Sequence, residues 1–146
     1  FYWKPFLTRF FLNLWEELPV YVEKEKNHKE KNKKSMEEAL KFIKKGDILM
    51  IFPEGTRSKD GKLKMAYTGI AKLAIKANAP VLPIGIIDSN KVLPIGKIFP
   101  RFARCEVKIG KPMYFNNKKQ NEKIYQQITR SIMKQIAKLI NQKYNY

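Results

Sequence analysis

Ile48-Leu49-Met50-Ile51-Phe52-Pro53-Glu54-Gly55-Thr56-Arg57-Ser58 passes from an unbroken apolar run to a polar turn within a single peptide bond. A run without a polar break predicts a strand buried on both faces, as in a parallel sheet covered by helices. Pro53 then removes a backbone donor and Gly55 permits a turn. An acid, a hydroxyl and a guanidinium are thereby displayed just past the carboxyl end of the strand, where open α/β sheets bind ligands.

Before this stretch, Ser35-Met36-Glu37-Glu38 has the serine-to-glutamate spacing of a capping box. Met36, Leu40 and Ile43 continue as a helical apolar stripe that Gly46 ends. The segment Glu23 to Lys34 is almost wholly Lys, Glu, Asn and His, the composition of a solvated loop or the start of an exposed helix. Leu18-Pro19-Val20-Tyr21-Val22 is a short strand candidate. Residues 1–15 are denser in aromatic and aliphatic side chains than one helix face can hold. Such a helix either packs into a core or rests on lipid headgroups, and different faces can do both.

After the turn, Thr68 to Ala77 reads as an amphipathic helix whose small residues allow close packing on a sheet. Pro80 to Ile87 is a second buried strand, which Pro83 makes irregular in its middle or places near an edge, and Arg104 to Ile109 is a further strand candidate of alternating character. Ile124, Ile128, Ile132, Ile136 and Ile140 recur at four-residue spacing and mark a long terminal helix over 116–143. The order of strands and helices predicts an α/β fold, a mainly parallel sheet covered by helices in a single domain over 1–146.

Composition narrows the partners. Thirty Lys and Arg against thirteen Asp and Glu give a formal charge of +17, far more than solubility requires. A negatively charged partner follows, and nucleic acid, an anionic membrane surface and small phosphorylated molecules all qualify. The sequence carries no helix-turn-helix, zinc-finger spacing or RNA-recognition aromatic pattern, so nucleic acid is the weakest of the three. The single cysteine, Cys105, excludes an internal disulfide. With Arg104 as its only basic neighbour in a strand context, Cys105 is expected to be packed. No apolar run approaches the roughly 20 residues of a membrane span.

Phe52-Pro53-Glu54-Gly55-Thr56-Arg57-Ser58 resembles the glycerol-phosphate-binding block of the glycerolipid acyltransferases, the family that includes 1-acyl-glycerol-3-phosphate acyltransferases. The spacing to Thr68-Gly69-Ile70-Ala71-Lys72-Leu73-Ala74 and to Ala79-Pro80-Val81-Leu82-Pro83-Ile84 is similar to the family's later blocks. Val92-Leu93-Pro94 and Ile109-Gly110-Lys111-Pro112 extend the likeness, which covers Tyr2 to Met113. The resemblance implies transfer of a fatty acyl group from acyl-CoA or acyl-ACP to lysophosphatidic acid, giving phosphatidic acid, with no metal or organic cofactor. It places the protein on an anionic phospholipid surface at the cytoplasmic face of a membrane.

Carried over by position, Phe52, Pro53, Glu54, Gly55, Thr56 and Ser58 would form the acceptor block, with Glu54 and Gly55 touching the glycerol phosphate and Arg57 holding its phosphate. A guanidinium suits that task because it stays charged and donates two parallel hydrogen bonds. Val22-Glu23-Lys24 stands where the family has a valine, an acid and an arginine, so Lys24 is the further phosphate candidate. Lys59, Lys62 and Lys64 are candidates for attracting an anionic surface.

The family's base is the histidine of a His-x-x-x-x-Asp pair that precedes the aromatic segment, and here the chain departs from it. His28 is the only histidine, it follows that segment, and Lys33 stands five positions later. The resemblance therefore implies a catalytic pair upstream of Phe1, and the 146-residue chain alone is expected to be inactive. A noncatalytic anionic-lipid-binding domain of the same fold is the alternative.

Overall fold

The computed structural model describes residues 18–21, 27–116 and 120–146, within two compact units, Phe1–Leu49 and Met50–Tyr146. The expected apolar helix over 1–15 and the phosphate candidate Lys24 lie outside the described residues.

Among its described residues the first unit holds α1, His28–Lys45. The helix starts seven positions before the Ser35 capping box. Lys and Glu are good helix formers, and Glu30 and Lys34 pair one turn apart at 3.4 Å, so the charged run is helical from His28 onward. Ser35 sits inside the helix, where its buried hydroxyl donates to the Lys31 carbonyl at 3.2 Å. The box pattern was thus satisfied by a bond back along the helix. Gly46 closes α1 in the left-handed region at φ 96, its N–H on Ile43 and that of Asp47 on the Phe42 carbonyl.

The strand expected at 18–22 is not formed by its described residues, 18–21. A side chain takes the place of a ladder partner. The Tyr21 N–H donates to Asn32 Oδ1 and the Tyr21 carbonyl accepts from Asn32 Nδ2, both at 2.8 Å. Lys31 Nζ lies 4.7 Å from the centre of the Tyr21 ring, a cation over its face.

The second unit holds α2 (Gly69–Ala77), β1 (Ile84–Ile87), the short α3 (Ser89–Val92), β2 (Glu106–Ile109) and α4 (Glu122–Leu139). Among the described residues the sheet is β1 and β2 alone, antiparallel, with Ile84 opposite Ile109 and Ile86 opposite Val107. The expected mainly parallel sheet is not found there. Pro83 divides the second apolar run as anticipated: Val81 makes an isolated bridge to Met113, and the Pro83 carbonyl accepts from Gly110 N–H at 2.9 Å.

Residues 48–52 form no strand, and the buried-on-both-faces reading is corrected by their exposure, 99% for Ile48, 73% for Met50 and 65% for Phe52. An apolar run predicts burial only if a partner element covers it, and no described residue pairs with this one in a sheet. Cys105, expected to be packed, is exposed just before β2.

The core of the second unit is made where α4 meets α2. Ala71, Tyr125, Ile128 and Ile132 are buried together, with Ile70, Ile75, Val81, Met113, Phe115, Ile124 and Ile136 packed around them. The four-residue isoleucine spacing puts those side chains on one face of α4, and each large one withdrawn from water contributes about 1.5–3 kcal/mol. Gly85 lets α4 lie directly on β1. A Cβ there would stand 2.5 Å from Ile140 Cγ2 and 3.1 Å from Leu139 Cβ. The alternate residues Ile86, Val107 and Ile109 are exposed.

Candidate functional site: a closed polar loop before α2

The stretch from Phe52 to Tyr67 is a loop closed by hydrogen bonds at successive levels. At its base the Tyr67 N–H donates to the Pro53 carbonyl at 2.8 Å, and the Gly55 N–H turns back to the Phe52 carbonyl at 3.0 Å. Proline cannot donate, but its carbonyl accepts freely. Gly55 has φ +64, a conformation that costs other residues roughly 1–2 kcal/mol. Its missing side chain also admits Tyr67, whose Cε2 would lie 3.0 Å from an added Cβ.

Farther along, Glu54 Oε2 accepts the backbone N–H of Lys64 at 2.6 Å, and Lys64 Nζ donates to the Arg57 carbonyl at 3.3 Å. Asp60 Oδ1 accepts from Ser58 Oγ at 3.0 Å and from the Lys62 N–H at 3.1 Å, which fixes the turn at Asp60-Gly61. The Lys62 N–H first, and the Ser58 hydroxyl after it, hold the Asp60 carboxyl below its ordinary range.

The chain's tail braces the same loop from the other side. Gln142 Oε1 accepts from the Leu63 N–H at 3.1 Å while Gln142 Nε2 donates to the Gly61 carbonyl at 2.8 Å. The Tyr144 hydroxyl accepts from the Ala66 N–H at 3.1 Å. Where the loop enters α2, Thr68 Oγ1 donates to Glu122 Oε1 at 3.0 Å and Lys72 Nζ lies 3.1 Å from Glu122 Oε2. Those two donors, Lys72 the stronger, draw the Glu122 carboxyl below its usual value.

Among the expected acceptor-block residues, Phe52, Gly55, Thr56 and Arg57 are exposed, whereas Pro53, Glu54 and Ser58 are half-buried. Glu54 and Ser58 both hold the loop's shape through the bonds above. Asp60, Tyr67, Gln142 and Tyr144 were not singled out from sequence. The Asp60-Gly61 dipeptide is a turn signal that could have flagged the first. The loop gathers Arg57, Lys59, Lys62 and Lys64 in a short span. Its carboxylates are engaged by backbone N–H groups. Such an arrangement is suited to holding an anion and offers no paired base and nucleophile.

The sequence model described as "Acyltransferase" matches residues 5–87, more than half of the chain, and the chain belongs to the acyltransferase family. It is 36% identical over 80 residues to the chloroplastic 1-acyl-sn-glycerol-3-phosphate acyltransferase of Brassica napus, covering 54% of this chain and 23% of that protein. It is 35% identical over 52 residues to the 1-acyl-sn-glycerol-3-phosphate acyltransferase of Borreliella burgdorferi, covering 36% of this chain and 21% of that one. The crystal structure of the 1-acyl-sn-glycerophosphate acyltransferase PlsC from Thermotoga maritima superposes with a TM-score of 0.58 at 26% identity, over 77% of this chain and 46% of that chain. The chain thus spans less than half the length of each of these proteins. No helix among the described residues is long and apolar enough to cross a membrane.

Proposed function

We propose that the 53–67 loop is the acceptor-binding half of a site for acyl transfer to 1-acyl-glycerol-3-phosphate, with Arg57 as the phosphate ligand. The observation that carries this reading is the braced loop itself, which lies inside the family-matched stretch and presents Arg57 to solvent among three lysines. Its relatives' names support the acceptor. In the reaction the acceptor's free hydroxyl oxygen bonds to the thioester carbonyl carbon, its proton passes to a base, and the thiolate of coenzyme A or acyl carrier protein leaves. Arg57 would hold the acceptor phosphate so that the hydroxyl is delivered in one orientation.

The base is not in these residues. His28, the only histidine, begins α1 and has Lys33 rather than an aspartate five positions on. The chain alone therefore binds acceptor without turning it over, and measurable transfer by it would refute this. In an active protein joining the chain to a His-x-x-x-x-Asp segment, Arg57→Ala raises the acceptor KM about 10- to 100-fold and leaves donor saturation nearly unchanged. An unchanged acceptor dependence would sink the assignment of Arg57 to the acceptor's phosphate.

An anionic membrane surface is the second partner proposed. The loop after α3 exposes Ile98 at 87%, Phe99 at 82% and Phe102 at 112%, and Lys97, Arg101 and Arg104 stand between and beside them. Apolar side chains interleaved with cations suit a bilayer of anionic lipid, where both terms act together. Sedimentation with vesicles containing phosphatidylglycerol, repeated at high salt and with Phe99→Ser/Phe102→Ser, tests it. Binding that ignores both changes would overturn it.

A further inference from the structure

The segment that follows α4 lies beyond the family-matched residues 5–87, yet it fastens the middle of the acceptor loop. The helix end explains how it arrives there. Asn141 turns into the left-handed region at φ 53, its N–H bonds to the Lys138 carbonyl at 3.3 Å, and the Gln142 N–H bonds to the Ala137 carbonyl at 2.8 Å. That paired closure reverses the chain in one residue and aims Gln142 at the loop. The primary amide of Gln142 then acts as a peptide unit would, accepting from Leu63 and donating to Gly61. Tyr144 takes a further N–H of the loop, that of Ala66, three residues on from Leu63.

We infer that Gln142 and Tyr144 are positioning residues for acceptor binding: they hold 61–66 in the register that lets Lys64 N–H bind the Glu54 carboxylate and Lys64 Nζ bind the Arg57 carbonyl. This inference rests on the acceptor reading of the loop. The path runs from Gln142 and Tyr144 through the backbone of 61–66 to Lys64, and from Lys64 to both Glu54 and Arg57. Neither tail residue needs to touch the acceptor. Without them the stretch 61–66 keeps its sequence but loses three backbone partners supplied from the end of the chain. Arg57 then samples more conformations before it meets a phosphate, and the acceptor binds more weakly for that reason.

The test is calorimetric binding of 1-hexanoylglycerol 3-phosphate to the protein and three variants, with thermal unfolding of each. Gln142→Met keeps the side chain's length and removes both bonds, and Tyr144→Phe removes one. Gln142→Met is expected to weaken acceptor binding about tenfold and Tyr144→Phe about threefold, the scale of net hydrogen bonds. Ile132→Ala, in the core, serves as the control: it lowers Tm while leaving acceptor affinity unchanged well below unfolding. Affinity that follows Tm across the three variants would overturn the positioning role. Arg57→Ala separates the two readings. If it weakens binding while Gln142→Met does not, the tail's role alone fails; if neither does, the acceptor reading fails and takes this one with it.

Discussion

The carboxylate of Glu54 and the backbone N–H of Lys64 meet across the loop at 2.6 Å, the bond that joins the two sides of the proposed acceptor site. A carboxylate accepting a backbone N–H is a charge-assisted bond, and here it fixes a residue that the family resemblance would assign to the ligand. Glu54→Ala is expected to cost about 1–2 kcal/mol in chemical denaturation, discounted for the residue's partial exposure. Glu54→Gln keeps an acceptor oxygen and should lie between the two.

Gly55 is held at φ +64 under the Tyr67 ring. Gly55→Ala therefore meets both backbone strain, roughly 1–2 kcal/mol, and a side-chain clash. Removing the ring relieves only the second. In a Tyr67→Ala background, Gly55→Ala should cost less than in the parent, yet remain destabilising; full recovery in urea titrations would show that the left-handed backbone carries no strain.

Much of this was readable in advance, and the failures share a cause. The four-residue isoleucine spacing of 124–140 predicted α4 because one helix face is a local property. The turn after Phe52 was readable because Pro53 and Gly55 encode it in adjacent residues. By contrast, Gln142 reaches Leu63 across 79 positions, a contact no local pattern contains. The run 48–52 looked buried since hydropathy reports a side chain's preference and not the presence of a covering element. Ser35 carried a capping pattern, while Asn27, at φ 57, precedes the first turn of the helix. Its left-handed backbone has no comparably specific sequence signal.

The junction of α2 and α4 titrates. Glu122 takes hydrogen bonds from Lys72 and Thr68, so its folded-state pKa lies below the ordinary 4.5. A lowered carboxyl pKa stabilises the fold above the unfolded value and is lost as pH falls through the folded one. The contribution is fully present above 4.5 and fades below it. Because both side chains are partly exposed, Glu122→Gln should cost no more than about 1 kcal/mol at neutral pH, less in high salt, and the two proteins should converge in acid. Equal Tm values at pH 7 in low salt would contradict this.

α4 rests on β1 where Gly85 leaves no side chain. Gly85→Ala would drive a methyl to 2.5 Å from Ile140 Cγ2, so either the helix end or the strand must shift. Overpacking of this kind costs about 1–3 kcal/mol. Ile132, 2% exposed, supplies the opposite change: Ile132→Ala should cost about 2–5 kcal/mol by leaving a cavity. Melting curves of both, with the Leu63 amide followed by hydrogen exchange, check whether the Gly85 change also loosens the tail.

The central claim is that Arg57 holds the acceptor's phosphate, and equilibrium binding tests it without requiring turnover. Isothermal titration of 1-hexanoylglycerol 3-phosphate into the parent, Arg57→Lys and Arg57→Ala should give Kd values that rise in that order. Arg57→Ala should be about 10- to 100-fold weaker than the parent, and Arg57→Lys intermediate because a point charge replaces a two-donor fork. Equal Kd values for the parent and Arg57→Ala would contradict the account.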